Sequence, residues 1–214
     1  MLDRFRRGED SILGDGPGLG KRVQALELIR QLLAGETRAD GGGPLRILVV
    51  RPKMYAERWA ALVAASGIPE AAWEVEGPKS NRETQLGRIQ SAAYSVQVLF
   101  VASRTASTYP LELSTVDWDL VVFDCAAALR PGAAQLTRRC AVGLVSNALA
   151  WQWKNMRKMV NTVSPGALDT EAGFKTRFLE PIGRARQASA VGKPAMVSYC
   201  LCVCDMCVCW CVCW

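Results

Sequence analysis

The chain reads SILGDGPGLGKRVQ over residues 11–24. Residues 11–13 form a short apolar run that predicts a buried β-strand, and the spacing of apolar residues after Lys21 predicts an amphipathic helix. The glycine-rich turn between them is the context that a phosphate-binding loop requires. Backbone N–H groups of such a turn and the positive end of the next helix attract phosphate oxygens, while Lys21 adds a cation. We therefore predict a phosphate-binding loop with Gly18, Gly20 and Lys21 as its binding residues.

A second motif follows about a hundred residues downstream, where residues 120–124 read LVVFD. An apolar strand that ends in a carboxylate is the position from which nucleotide-binding α/β proteins hold magnesium. The competing interpretation is that Asp124 only caps the next turn. The order and spacing of the two motifs favour a nucleotide site in which Asp124 is the magnesium ligand and the residual acid of the hydrolytic machinery.

The rest of the pattern predicts an α/β fold. Short apolar runs alternate with longer stretches of helical period, which is typical of a parallel sheet covered on both faces. The predicted strands are residues 11–13, 45–50, 96–101, 120–123 and 141–145, and the predicted helices are residues 21–34, 54–65, 84–93 and 151–160.

Composition excludes several kinds of chemistry. The 214 residues include no histidine, so Ser-His-Asp and Cys-His catalysis and Cys2His2 zinc sites are ruled out. Charge is uneven: residues 1–130 carry 16 basic and 16 acidic side chains, whereas residues 131–199 carry ten basic and three acidic ones. This basic third suits contact with a polyanion, although a solvated basic face would have the same composition.

Seven of the nine cysteines lie in the last 15 residues, and the start of the chain has no apolar signal segment. We therefore expect an intracellular, reduced protein. Three interpretations of the tail stay open. Its thiols could bind a soft metal, its last 20 residues could anchor in a membrane at the cost of burying Asp205, or it could be a translated TG repeat, which encodes alternating Cys and Val.

These motifs resemble those of the SWI/SNF-type DNA-dependent ATPases, a branch of the superfamily 2 helicases. Residues 11–24 are similar to the family's ILADDMGLGKTIQ segment, and residues 116–124 (VDWDLVVFD) are similar to its EWDLVILDEAH strand. Residues 45–52 followed by Trp59 resemble the second motif, and residues 163–186 resemble the stretch after the first-lobe core. The likeness spans about residues 5–190 and is nearest to the Rad26-like DNA-repair subgroup.

The resemblance implies a three-layer RecA-like P-loop lobe with a central parallel sheet. It further implies ATP and Mg2+ as cofactors, duplex DNA as partner, a nuclear location, and a role in chromatin remodelling or DNA repair as the ATP-binding lobe of a translocase. No membrane partner is expected.

The sequence departs from the family pattern next to the chemistry. Arg22 stands where the family has a threonine after the lysine, and Cys125 stands where a glutamate orients the attacking water. Gly16 and Pro17 replace an acidic residue and a methionine, and residues 145–148 (VSNA) align with the TGTP motif. These departures predict a degenerate copy of the nucleotide site.

The size of the losses predicts a lobe that does not turn over. Loss of a positioned base costs ~10²–10⁴ in rate, and loss of the arginine finger, which the family carries on a second lobe, costs a further ~10³–10⁵. Arg22 also puts a cation where a divalent ion should sit. We therefore predict that Arg22 lies near Asp124, pairs with it, and weakens magnesium binding there.

The predicted organisation is a lobe over residues 1–190, which begins inside the family's first lobe and lacks the second, followed by a Cys-rich, disordered tail over residues 191–214. The basic side chains that are candidates for DNA contact are Arg138, Arg139, Lys154, Arg157 and Lys158. Three classes of function stay open: an enzyme fragment completed by a missing lobe or partner chain, a non-catalytic nucleotide- or DNA-binding module, and the product of a decaying gene copy.

Overall fold

The computed structural model describes residues 1–16, 18–35, 37–38, 43–68, 72–91, 97–124, 131–145, 153–168, 170–181, 184, 202–203 and 206–207. Its helices are α1 (Leu2–Arg6), α2 (Lys21–Gly35), α3 (Ala56–Ser66), α4 (Lys79–Ser91), α5 (Ser103–Thr108), α6 (Pro110–Leu113), α7 (Trp153–Val163) and α8 (Glu171–Phe174). Its strands are β1 (Ser11–Leu13), β2 (Ile47–Arg51), β3 (Ala72–Val75), β4 (Val98–Ala102), β5 (Trp118–Asp124), β6 (Arg138–Leu144), β7 (Cys202–Val203) and β8 (Met206–Cys207).

The first six strands form one sheet in the order β1-β6-β5-β2-β4-β3, and every described pairing in it is parallel. The predicted central parallel sheet is therefore confirmed. Leu13 at the end of β1 and Asp124 at the end of β5 both lie opposite Leu144 of β6. The glycine-rich turn and the aspartate thus leave the sheet at the same edge and at the same level.

Helices cover both faces of the sheet. Because successive side chains of a strand point to opposite faces, β2 contributes Leu48 and Val50 to one apolar cluster and Ile47 and Val49 to the other. The first cluster packs against α4 to α8, and the second packs against α1 to α3. The resulting three layers bury all five residues of β2, and its first four residues, 47–50, are a continuous apolar run.

Sequence patterns missed β3 and placed the start of α4 too late. β3 is an edge strand in which Trp73 is 43% exposed and Glu74 is exposed, so it lacks the apolar run that marks the inner strands. α4 begins at Lys79 rather than at the predicted Thr84, because its first turn is polar and carries no helical apolar period. The short helices α5 and α6 were not predicted either.

Two side chains, Asp10 and Arg138, bond backbone groups near the amino edge of the sheet. Asp10 Oδ1 accepts a hydrogen bond of 2.7 Å from the backbone N–H of Ala141 in β6. Arg138 at the start of β6 donates to the carbonyl oxygens of Thr162 at 2.8 Å and Val163 at 3.0 Å. These carbonyls belong to the last turn of α7, where the helix itself supplies no donor. Arg138 therefore ties α7 to the sheet.

Of the tail, the structure describes only β7 and β8, which pair antiparallel with each other. Among the described residues, no helix is long and apolar enough to cross a membrane, and no cluster of potential ligands is placed to hold a metal. The disorder and the metal binding proposed for residues 191–214 stay predictions. In the lobe, Cys140 is buried, and burial raises the pKa of its thiol to about 12, so it is uncharged at neutral pH.

We predict that truncating the centre of the sheet will destabilise the lobe. Leu48 is fully buried, so Leu48→Ala should cost ~2–5 kcal/mol in the free energy of unfolding. The matched control is Leu111→Ala, because Leu111 is 79% exposed and its loss should change stability by less than ~0.5 kcal/mol. Urea denaturation of the three proteins measures both values. Equal losses would contradict the described core.

Candidate functional site

A cleft of about 650 Å³ opens at the carboxyl edge of the sheet. It lies between the glycine-rich turn, the end of β5 and the face of α3. Its lining residues are Gly18, Gly20, Lys21, Arg22, Val23, Tyr55, Arg58, Ala61, Leu62, Asp124, Leu144 and Val145. The structure therefore brings together the three loop residues and the aspartate that the sequence singled out.

The glycine-rich turn depends on two glycines in the left-handed region of backbone conformation. Gly18 has a φ of 85° and Gly20 a φ of 67°, and other residues adopt such angles only with strain. Gln24, one turn into α2, holds the loop from below: its Nε2 donates to Asp15 Oδ2 at 3.0 Å and to the Leu19 carbonyl at 2.8 Å. These two hydrogen bonds tie the turn to the first turns of α2.

Lys21 is held inside this turn. Its Nζ donates to the carbonyl oxygens of Asp15 at 2.6 Å and Gly16 at 2.8 Å. Lys21 is also the first residue of α2, so its ammonium lies beside the positive end of the helix. The lysine and the helix end together form a positive corner of the cleft.

Asp124 is the buried charge of the site, with a side chain that is 5% exposed. Its Oδ2 accepts a hydrogen bond of 2.7 Å from Arg22 Nε and one of 2.9 Å from Trp59 Nε1. Trp59 is itself buried, and its ring packs 5.6 Å from that of Phe100. The predicted proximity of Arg22 and Asp124 is confirmed, and the two side chains form an ion pair between α2 and β5.

The Arg22 guanidinium is held on a second side by an aromatic ring. Its central carbon lies 3.8 Å from the centre of the Tyr55 ring, a distance typical of a cation–π contact. Burial opposes the charge on Arg22, but its hydrogen bond and attraction to Asp124, with a contribution from Tyr55, outweigh burial and raise the pKa of the guanidinium above its usual value. Arg22 therefore stays charged.

These contacts do not fit a magnesium ion at Asp124. Mg2+ requires oxygen ligands in near-octahedral geometry and is usually held by carboxylates and phosphates. Here two N–H donors already occupy Oδ2 of Asp124, and the guanidinium is a positive charge in direct contact with it. A divalent cation would have to displace Arg22 and would then lie beside it.

The candidates for DNA contact in the basic third lie away from this cleft. Arg138 and Arg139 start β6 at the opposite edge of the sheet, where Arg138 bonds backbone carbonyls of α7 and Arg139 donates to the Arg6 carbonyl at 3.0 Å. In α7, Arg157 lies 3.7 Å from a Glu171 carboxylate oxygen, and Lys158 is exposed. Contact of these residues with DNA stays a prediction.

The Lys154 side chain lies outside the described part of the structure, as do residues 125–130 and 146–150. The substitutions at Cys125 and at residues 146–148 are therefore known from the sequence alone. Sequence reasoning missed Tyr55 and Arg58 as lining residues, and it treated Trp59 only as part of a motif. The one signal for Trp59 was its place in the second family motif.

The three-layer fold and the glycine loop define a RecA-like P-loop lobe. A family model described as the SNF2-related domain matches residues 1–198, and the chain belongs to that family. The resemblance to SWI/SNF-type helicase-like ATPases is thereby confirmed, and the chain corresponds to their ATPase lobe.

Curated relatives agree with this assignment. The chain is 24% identical over 204 residues to "Switch 2" of Arabidopsis thaliana, which covers 89% of the chain and 23% of the relative. It is 22% identical to mouse "DNA excision repair protein ERCC-6-like 2", and that match covers 89% of the chain and 14% of the relative. It is 25% identical to "TATA-binding protein-associated factor mot1" of Schizosaccharomyces pombe, and that match covers 85% of the chain and 10% of the relative. The chain thus spans less than a quarter of the length of each.

Two solved structures share the fold. The "Sulfolobus solfataricus SWI2/SNF2 ATPase core in complex with dsDNA" superposes with a TM-score of 0.67 at 14% identity, over 89% of this chain and 40% of that one. The "Sulfolobus solfataricus SWI2/SNF2 ATPase core domain" superposes with a TM-score of 0.64 at 15% identity, over 89% of this chain and 39% of that one. The predicted three-layer RecA-like architecture is confirmed.

We predict that Arg22 and Asp124 are energetically coupled. Arg22→Ala leaves a buried carboxylate without its counter-ion and should cost ~1–3 kcal/mol in the free energy of unfolding. In the double variant with Asp124→Asn the same substitution should cost less, with a coupling of ~0.5–3 kcal/mol. Urea denaturation of the four proteins of the cycle measures this coupling.

Arg30→Ala is the matched control, because Arg30 also lies on α2 but pairs with Glu27 on the exposed surface. It should leave the denaturation midpoint almost unchanged. Strictly additive losses from Arg22→Ala and Asp124→Asn would show that the ion pair contributes nothing.

Proposed function

We propose that this lobe binds the polyphosphate of ATP in the cleft and does not hydrolyse it at an appreciable rate on its own. The observation that carries the proposal is the convergence of Gly18, Gly20, Lys21 and Asp124 on one cleft at the carboxyl edge of the sheet. Ligands of open α/β sheets bind at that edge, beside the starts of the following helices. Membership of the SNF2-related family supports nucleotide as the ligand.

The cradle suits phosphate in its charge and its shape. Lys21 and Arg22 lie at the first turn of α2, where the helix end is also positive. Lys21 now bonds two loop carbonyls, and a phosphate entering the turn would offer its Nζ a charged oxygen acceptor instead. A phosphate oxygen adds the attraction between opposite charges, which a neutral carbonyl oxygen lacks.

The proposed lack of turnover follows from what the chain carries at three positions. Cys125 occupies the place of the family's glutamate, and a thiol is a poor substitute for a carboxylate that positions water. Arg22 holds the carboxylate of Asp124. The chain spans about two-fifths of the solved ATPase cores, so we propose that any hydrolysis requires a further lobe, from the same polypeptide or from a partner.

We also propose duplex DNA as the macromolecular partner and the nucleus as the location. One solved neighbour is a complex with double-stranded DNA, and two relatives are named as a DNA excision repair protein and a TATA-binding protein-associated factor. A hollow of about 410 Å³ near the carboxyl ends of β2 and β4 offers a surface for phosphates, with Lys53, Arg82, Arg104, Thr105 and Thr108 among its lining residues.

This hollow suits a nucleic-acid backbone better than the basic third does. Its described lining includes three cations and no carboxylate, and Lys53 and Arg104 are exposed. In contrast, Arg138 is committed to carbonyl oxygens of the lobe itself. We therefore place the main DNA contact at this hollow, with Lys158 as a test of the alternative surface.

The nucleotide proposal predicts that Lys21→Ala will weaken binding of a fluorescent ATP analogue by about 10- to 100-fold, because a charged hydrogen bond of ~1.5–3 kcal/mol is lost. Lys53→Ala, which removes the same charge outside the cleft, should bind as the wild type does. Fluorescence titration measures all three affinities. Equal affinity of the wild type and Lys21→Ala would mean that the glycine turn is not a phosphate site.

The DNA proposal predicts that Arg104→Gln will weaken binding of a duplex and reduce the slope of log K against log salt by ~0.9, the value expected for one lost phosphate contact. Lys158→Gln should leave the slope unchanged. Fluorescence anisotropy at several salt concentrations measures both. A reduced slope for Lys158→Gln with none for Arg104→Gln would move the DNA surface to the basic third.

A further inference from the structure

The carboxylate of Asp124 is already neutralised by a side chain of the lobe. Arg22 Nε and Trp59 Nε1 both donate to Oδ2, at 2.7 and 2.9 Å. The carboxylate is 5% exposed, so a second positive partner would have to enter a nearly closed space. The acid that a metal would need is therefore bound by the protein itself.

The cleft is positive without any added ion. Among the described residues of its lining, the cations Lys21, Arg22 and Arg58 stand against one carboxylate, Asp124. Nucleoside triphosphates usually reach P-loop proteins with Mg2+ bridging the phosphates and neutralising part of their charge. A cleft that carries an excess of fixed positive charge has less need of that ion, and it repels a divalent cation near the guanidinium.

Arg22 is also placed to meet the phosphates. It follows Lys21 in the first turn of α2, and the Tyr55 ring supports its guanidinium at 3.8 Å. A guanidinium has five N–H donors in a planar fork that matches phosphate oxygens. The bond to Asp124 uses Nε, so this contact does not require the terminal amino groups to turn away from the cleft.

From these observations we infer that the cleft takes the polyphosphate of a nucleotide as the metal-free anion, with Arg22 as the built-in cation, and that magnesium weakens binding. This inference rests on the proposed nucleotide site, which it deepens. It separates this lobe from a site that needs Mg2+, because metal-bound nucleotide carries less negative charge and brings a cation toward Arg22.

The test is titration of a fluorescent ATP analogue in excess EDTA and in saturating magnesium, with the wild type, Arg22→Thr and Arg22→Lys. The wild type should bind more tightly in EDTA than in magnesium. Arg22→Thr removes the cation and leaves a hydroxyl, so it should bind about tenfold more weakly in EDTA and recover when magnesium is added. Arg22→Lys keeps the charge but loses the planar fork, so it should bind more weakly than the wild type in EDTA and still bind less tightly when magnesium is added.

A second readout uses the metal alone. Isothermal titration calorimetry uses Mn2+ as a substitute for Mg2+, since both bind oxygen ligands. It should give no binding to the nucleotide-free wild type and measurable binding to Arg22→Thr. Thermal melting of each variant shows whether it is folded. If Arg22→Thr fails to fold, the response of the wild type to magnesium decides the question.

The outcomes distinguish failure of this inference from failure of the proposed nucleotide site. If magnesium tightens binding to the wild type or leaves it unchanged, the inference is wrong and the nucleotide site stands. If the folded wild type binds the analogue in neither buffer, both are wrong. If Arg22→Thr and the wild type respond to magnesium in the same way, Arg22 is only a structural partner of Asp124 and the inference fails.

Discussion

The ion pair between Arg22 and Asp124 is the contact on which the cleft depends. A carboxylate buried to this degree is costly unless a charge or several hydrogen bonds compensate it. Arg22 supplies the charge from α2, and Trp59 supplies a further hydrogen bond from α3. One oxygen atom of β5 thus joins two helices of the same layer to the sheet. This junction brings the first turn of α2 and the face of α3 against the end of β5, where the cleft opens.

Phosphate binding and hydrolysis depend on different groups of the cleft. Phosphate recognition at a glycine turn uses backbone N–H groups and the helix end, which the described loop retains in its left-handed Gly18 and Gly20. By resemblance to the family, hydrolysis would use side chains at the positions of Arg22 and Cys125 to carry a metal and to activate water. A lobe can therefore lose turnover through a few side chains while the geometry that holds a polyphosphate persists.

Much of the fold could be predicted from the sequence, because the inner strands are apolar runs that alternate with helical segments, a pattern typical of a parallel sheet covered on both faces. The convergence of Lys21 and Asp124 also followed, since parallel strands share a carboxyl edge. The edge strand β3 could not be predicted, because Trp73 and Glu74 are exposed and leave no pattern. Tyr55 reaches Arg22 only through the packing of α3, and no local signal in the sequence indicates such a contact.

The two ends of β6 have different surroundings. Arg138 at the amino end bonds a backbone carbonyl of α7, Asp10 accepts from the N–H of Ala141 in the middle of the strand, and Leu144 at the carboxyl end borders the cleft. The contact that ties α7 to the sheet and the candidate site therefore lie at opposite ends of the same strand. Substitutions at one end of the strand need not destabilise the other end, so evolution can remove an enzyme's activity while its fold is kept.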